Sequence, residues 1–288
     1  MNIPMIAQDT MTRGEVSGTL DRADGTLLRW WRGGRGEPVV LVHGSFDDHH
    51  SWSGVVAQLA EYHDVITYDR RGHSTSTAPR SQGSIAQDAD DLLSIVDNVI
   101  GGPAHLVGLS YGASVAMLAA VQRREAVLSV AVHEPPLFGL LARNPVAKVL
   151  GAEAAVWTGH AAELIRNGNL ADGVRIFAEK VGFGKGSWHG LFTREQRATM
   201  ISNAHTWLDQ YNDPGRLAVD ITTLAWARFP ITLFVGERTH ELYKLVAEEL
   251  ADRLPFMRTV RIPGAGHAPH LTHASGFADA LLGHLRSR

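Results

Sequence analysis

Ala104–Val121 reads AHLVGLSYGASVAMLAAV, and this stretch decides the fold. Ala104 to Gly108 is a short apolar run of strand type, while Ala113 to Val121 is small, apolar and long enough for a buried helix. Between them Gly108-Leu109-Ser110-Tyr111-Gly112 is the only GxSxG of the chain. A turn this tight between strand and helix holds its serine in a strained, exposed position. A side chain at either flanking glycine would collide with the neighbouring strand or helix. An ordinary Gly-rich turn with a bystander serine has the same five letters, but the strand before and the helix after favour Ser110 as a nucleophile.

Outward from this turn, strand-like and helix-like stretches alternate. Thr26–Arg32 reads as an early strand, Pro38–Val42 as a buried strand running into His43-Gly44-Ser45, and Val65–Tyr68 as a strand followed by DRRGHS. Ile85 to Val99 has helical spacing and stops at Gly101-Gly102-Pro103. Leu128–Val132 is a strand closed by His133-Glu134-Pro135-Pro136. The pattern resumes with a strand at Ile231–Val235, a helix from Leu242 to Leu254, a strand at Met257–Ile262, then Gly264-Ala265-Gly266-His267 and a helix from Ala274. Such alternation predicts an α/β fold, a mostly parallel sheet flanked by helices. From Leu137 to Val219 no strand-like run occurs, which predicts an inserted helical subdomain over 137–219 between core segments 1–136 and 220–288. Gly182–Gly190 (GFGKGSWHG) reads as a mobile loop within it.

Composition excludes several classes. At 288 residues, 44% hydrophobic and 20% charged, the chain is long enough to bury one large core and is not disordered in general. Lys plus Arg number 27 against 30 Asp plus Glu, a net charge of -3, so nothing favours nucleic acid or an anionic membrane as partner. With no cysteine there is no disulfide framework, thiolate metal site or cysteine nucleophile. The opening MNIPMIAQDTMTRGEV lacks the basic start and apolar run of a signal peptide, and Ala113–Val121 is too short to span a bilayer, so a cytoplasmic protein is expected.

The general base must sit where the nucleophile emerges. His267, on a Gly-rich turn after the last strand, meets this best; His43, His133 and His73 compete. His267, His270 and His273 could instead be spaced for a metal. Pro269 breaks any common helical face, no carboxylate lies close by in sequence, and no metal is expected. A backbone N–H of the loop after Pro38–Val42, from Ser45, or from Phe46 if the loop is shifted by one, would pair with that of Tyr111 to hold an oxyanion. His49 and His50, beside Asp47 and Asp48, read as lining an entrance.

Taken together, HGS, DRRGHS, GLSYG and PGAGH resemble the α/β-hydrolase family over nearly the whole chain. The resemblance implies an α/β-hydrolase fold with an eight-stranded sheet and a lid inserted after the sixth strand. It also implies Ser110 as nucleophile, His267 as base, and the backbone of Ser45 and Tyr111 as oxyanion donors. One position departs from the pattern. Where the family usually carries its acid, after the seventh strand, this chain has Thr239, which cannot balance an imidazolium. Glu134, in VHEPP, is the expected substitute, because some members draw their acid from the sixth strand. Within that subset the chain is similar to fungal zearalenone lactone hydrolases and to bacterial serine hydrolases with a Glu-Pro-Pro segment. Glu241 is the alternative, and a hinge-capping role for Glu134 competes with the acid role.

The expectation is a serine hydrolase that needs no cofactor and cleaves a carboxylic ester or lactone of a medium-sized hydrophobic small molecule. A serine nucleophile argues against dehalogenase and epoxide hydrolase chemistry. Phe46, Leu137, Trp157, Trp188 and Trp207, with Phe183 and Phe192, are expected to line the pocket, unless the tryptophans pack the lid's own core. A C–C bond hydrolase, a perhydrolase and a receptor without turnover remain alternatives, and a homodimer is left open.

Overall fold

The computed structural model describes residues 16–217 and 219–287. The opening stretch read above for a signal peptide falls almost wholly outside them. The strands are β1 (Val16–Asp21), β2 (Leu27–Gly34), β3 (Pro38–Val42), β4 (Asp64–Tyr68), β5 (Ala104–Leu109), β6 (Val127–His133), β7 (Ile231–Gly236) and β8 (Arg258–Ile262). They form one eight-stranded sheet in the order β1-β2-β4-β3-β5-β6-β7-β8. β2 pairs antiparallel with β1 and β4, and every other pairing is parallel. β1 has no counterpart in the sequence reading, because an edge strand of alternating exposed residues (VSGTLD) carries no apolar run.

The helices are α1 (Ser53–Leu59), α2 (Ile85–Ile95), α3 (Tyr111–Gln122), α4 (Pro145–Arg166), α5 (Leu170–Phe177), α6 (Ser187–Gly190), α7 (Arg194–Ser202), α8 (Ala204–Asn212), α9 (Glu241–Arg253), α10 (Pro269–Thr272) and α11 (Ala274–Leu285). The central strands β3, β5, β6 and β7 are buried along nearly their whole length because both faces are covered, with His105, Ser129 and Thr232 as polar interruptions, and the strand period of two divides each run between two cores. Val40, Val42, Leu106, Val130 and Val132 pack with α2, α3 and α9. Val39, Leu41, Val107, Leu109 and Ala131 pack with α1 and α11 on the opposite face. α2 is capped by Ser84, continues through a wider turn at Val96–Ile100, and stops at Gly101 in the left-handed conformation.

α4 to α8 all lie between β6 and β7 in the chain and share a third core, which includes Ala161, Ile165, Val174, Trp188, Met200 and Trp207. Phe46 of the loop after β3 is buried in it as well, so this core is keyed into the sheet edge. The expected loop at Gly182–Gly190 is more closed than its glycines suggest. Gly184 and Gly186 take the left-handed turn, and the segment then winds into α6 with Ser187 and Trp188 buried. Among the described residues no helix is long and apolar enough to cross a membrane.

Candidate active site

The turn from β5 into α3 puts Ser110 at φ 52°, ψ -120°. The two glycines are required by space. A Cβ on Gly108 would lie 2.3 Å from the Gly112 carbonyl, and one on Gly112 would lie 2.3 Å from the Val42 carbonyl. Both close approaches exist because α3 packs hard against the strands beside it, and the strain at Ser110 is the result. The hydroxyl projects from the carboxyl edge of the sheet, where ligands of open α/β sheets gather.

The loop after β3 is held by the segment after β4. Arg70, almost fully buried, donates to the carbonyls of His43 and Gly44 and pairs with Asp88 at 3.1 Å. Tyr111 donates its hydroxyl to the same Asp88. His43 donates from Nδ1 to the Gly44 carbonyl and accepts the Arg70 amide at Nε2, which requires a neutral ring. Burial, with the charge of Arg70, holds its pKa well below the ordinary value. His73 contacts Arg70 and Thr206. His43 and His73 are thus part of the scaffold of this loop and do not contact Ser110. The amides of Ser45, Phe46 and Tyr111 have no protein acceptor among the described residues. The Ser45 hydroxyl donates to Gln210 Oε1 at 2.6 Å.

His267 arrives on the turn after β8. Its Nε2 lies 3.0 Å from Ser110 Oγ, and its Nδ1 lies 2.5 Å from Glu134 Oε2. Glu134 follows β6 at φ 46° and is 1% exposed. Its Oε1 accepts the Gly236 amide and its Oε2 accepts the Thr239 hydroxyl, both at 2.7 Å. Burial would raise its pKa, but His133, His267 and Thr239 outweigh that and lower it to about 2, so the carboxylate is ionised. Thr239, where the resemblance leads one to expect an acid, donates instead to Glu134, which follows β6. Glu241 lies exposed on α9, 3.4 Å from Lys244, and does not reach His267. His133 is buried beside Glu134, and burial lowers its pKa to about 4. Linked in this order, hydroxyl, imidazole and carboxylate can take a proton from the oxygen and stabilise the resulting imidazolium.

Above Ser110 opens a cavity of about 400 Å³ with Ser45, Ser110 and Tyr111 in its wall. Phe138, Leu141, Ala154, Phe177 and Trp207 give it an apolar lining. Of the aromatic and apolar residues expected there, Trp207 lines it; Phe46, Leu137, Trp157 and Trp188 do not. Phe46 and Trp188 fill the core of the inserted helices, and Leu137 turns down into the core beneath α3. Trp157 lies half-buried on α4 with Lys180 4.8 Å over its ring. Phe183 packs 5.5 Å from the His267 ring and edge-on to Phe192.

Tyr243 was missed by the sequence reading. Its ring stacks on His267 at 4.3 Å and 16°, its hydroxyl is within interaction reach of Ser110, and it lines the cavity. It stands in the first turn of α9, directly after the loop carrying Thr239, and that position was the available signal.

The spacing of His267, His270 and His273 brings no metal-binding cluster together among the described residues. His270 is buried on α10 with both ring nitrogens unpartnered, and His273 is exposed against Thr272. Asp48, His49 and His50 do come together. Their atoms already serve the protein: Asp48 caps the turn at His50 and accepts from Ser74, and His49 binds Asp69 while stacking on Trp31. His133, Glu134 and His267 also come together, and there Glu134 and His267 are likewise engaged with each other, Thr239 and Ser110.

Asp47 borders a small chamber of about 20 Å³ behind Ser110, together with His267 and His270. Burial and the charge of Asp48 push its pKa up to about 7, against the pull of Arg70. Between pH of about 4 and about 7 the folded protein therefore keeps a proton that the unfolded chain has released, and stability falls as pH rises through that window. Asp47→Asn should raise the melting temperature most above pH 7, with the gain fading as pH falls toward about 4. A gain independent of pH in melting curves would contradict the assignment.

The alpha/beta hydrolase family matches residues 39–280, and the chain belongs to it. It is similar to an uncharacterized hydrolase, YraK, of Bacillus subtilis, at 30% identity over 152 residues, which are 52% of this chain and 56% of that protein. The chain spans about half, or less, of the length of the curated relatives it matches. Among solved structures it resembles an alpha/beta hydrolase from Sphaerobacter thermophilus, at 25% identity and a TM-score of 0.76, over 93% of this chain and 100% of that one. It also resembles a thermophilic esterase from Thermogutta terrifontis, at 24% identity and a TM-score of 0.73, over 94% and 98% of the two chains.

Proposed function

We propose that the protein is a serine hydrolase of carboxylic esters or lactones. The observation that carries this reading is the unbroken chain from Ser110 Oγ through His267 to Glu134, at 3.0 and 2.5 Å, in contact with an apolar cavity. Ser110 attacks the carbonyl carbon as His267 Nε2 takes its proton, and Glu134 holds the imidazolium. The amides of Ser45 and Tyr111 donate to the oxyanion. The imidazolium then protonates the departing alkoxide as the C–O bond breaks, leaving an acyl-serine. Water, deprotonated by His267, releases the acid; from a lactone, acid and alcohol leave as one hydroxy acid. α4 to α8 act as the lid, and Trp207 with Phe138 and Leu141 receives the hydrocarbon part of the substrate. The name of the Thermogutta esterase supports ester chemistry. Supply of the acid from the end of β6 supports kinship with the lactone hydrolases that use this strand.

The test is labelling with a fluorophosphonate, followed by peptide mass mapping. The adduct should fall on Ser110 and should be lost in His267→Ala. Labelling at another residue, or equal labelling in the variant, would overturn the reading. A panel of aryl esters, alkyl esters and lactones with product identification would then define the leaving group.

A further inference from the structure

We infer that the cavity above Ser110 takes substrates bearing a carboxylate besides the ester, and that Arg216 binds this carboxylate. The inference rests on the hydrolase reading and names its substrate class. Two cationic side chains, Lys148 and Arg216, border the cavity, and no Asp or Glu does so among the described residues. Arg22, Arg32, Arg70, Arg71, Arg123 and Arg253 each meet a carboxylate of the protein. Arg216 has no such partner among the described residues, although its Nε is buried and without an acceptor. Its guanidinium lies 5.9 Å over the Tyr211 ring, beside an otherwise apolar wall. Burial disfavours the charge there and lowers its pKa, with Asp213 and two tyrosine hydroxyls acting only at a distance.

A half-buried guanidinium whose Nε is enclosed without an acceptor is costly to leave unpaired, and a ligand carboxylate offsets that cost. Gln210 supplies a second donor in the same cavity. Its Oε1 is taken by Ser45, while its Nε2 is buried with no partner. Two orphaned donors bordering one cavity, with Lys148 exposed as a further cation, fit an anion with planar oxygens. The apolar walls fit the chain that joins this carboxylate to the ester. A hemiester of a dicarboxylic acid, or a lactone carrying a carboxylate, has both parts.

The test pairs turnover with binding. For turnover, kcat/KM is measured for p-nitrophenyl hemiglutarate and for its neutral methyl ester. The wild-type ratio should favour the hemiester, decline with added salt, and fall about tenfold or more in Arg216→Gln. Arg216→Lys should recover part of it, and Arg253→Gln should leave it unchanged. For binding, melting shifts of wild type and Arg216→Gln are measured with glutarate, dimethyl glutarate and inorganic phosphate. Glutarate alone should stabilise the wild type, and the shift should vanish in Arg216→Gln. A ratio that survives Arg216→Gln, or no response to glutarate, overturns the inference even where the esters are hydrolysed. An equal response to phosphate overturns the choice of carboxylate. An Arg216-dependent glutarate shift with no turnover of either ester would instead overturn the hydrolase reading and leave standing only that Arg216 binds a carboxylate in this cavity.

Discussion

Ser110→Ala should lower kcat/KM on an activated aryl ester by about 10⁴-fold or more. In the proposed mechanism this hydroxyl forms the acyl bond, and among the described residues no other serine of the cavity wall contacts His267. Ser45, the nearest alternative, is committed to Gln210. The residual rate should come from the amides of Ser45 and Tyr111, which still polarise a carbonyl. Folding should survive, because the Ser110 hydroxyl contributes one hydrogen bond to His267 at the rim of the sheet and none within its core, and the strain at φ 52° is no greater for alanine than for serine. Steady-state kinetics with an unchanged melting temperature would separate lost chemistry from lost structure. Wild-type rates in this variant would remove Ser110 from the mechanism.

Glu134→Gln should cost about 10³- to 10⁴-fold in kcat, whereas Glu241→Gln should stay near wild type. The amide is the same size but cannot balance an imidazolium, and it can present its NH₂ to His267 Nδ1, which selects the wrong tautomer. Glu241 is exposed and faces Lys244, so its loss removes only a surface ion pair. Glu134→Gln should also lower the melting temperature. The two carboxylate oxygens accept from Gly236, Thr239 and His267, and one half of an amide cannot accept from any of them. A kinetic loss at Glu241 exceeding that at Glu134 would move the acid to the loop after β7.

The central strands and the serine turn were legible because their causes are local. Apolar runs, the glycines flanking Ser110 and the stop at Gly101 all act within a few residues. Glu134 was legible because a family position was visibly empty of acid at Thr239. What brought His267 and Glu134 together is a tertiary fact, 133 residues apart in the chain, and the sequence supported it only through resemblance. The pocket wall was read least well. Large apolar residues were expected to face substrate, yet Phe46 and Trp188 serve packing, since a small helical insert needs bulky residues to build any core of its own, and Leu137 joins the main core of the sheet. Tyr243, Gln210 and Arg216 carried no motif. Their importance comes from which neighbours they lack or face, and periodicity does not encode that.

The placement of Glu134 just after β6, against His267, has a consequence for how this protein can diverge. The loop between β7 and α9 no longer has to present a charge, only one hydroxyl at Thr239 and one amide at Gly236. The start of α9 can therefore alter Leu242, which borders the cavity, without relocating the chain from Ser110 through His267 to Glu134. Under the proposed mechanism, Leu242 and the carboxylate that supports His267 sit on different segments of the chain, so the pocket wall can drift across generations while the relay is held constant.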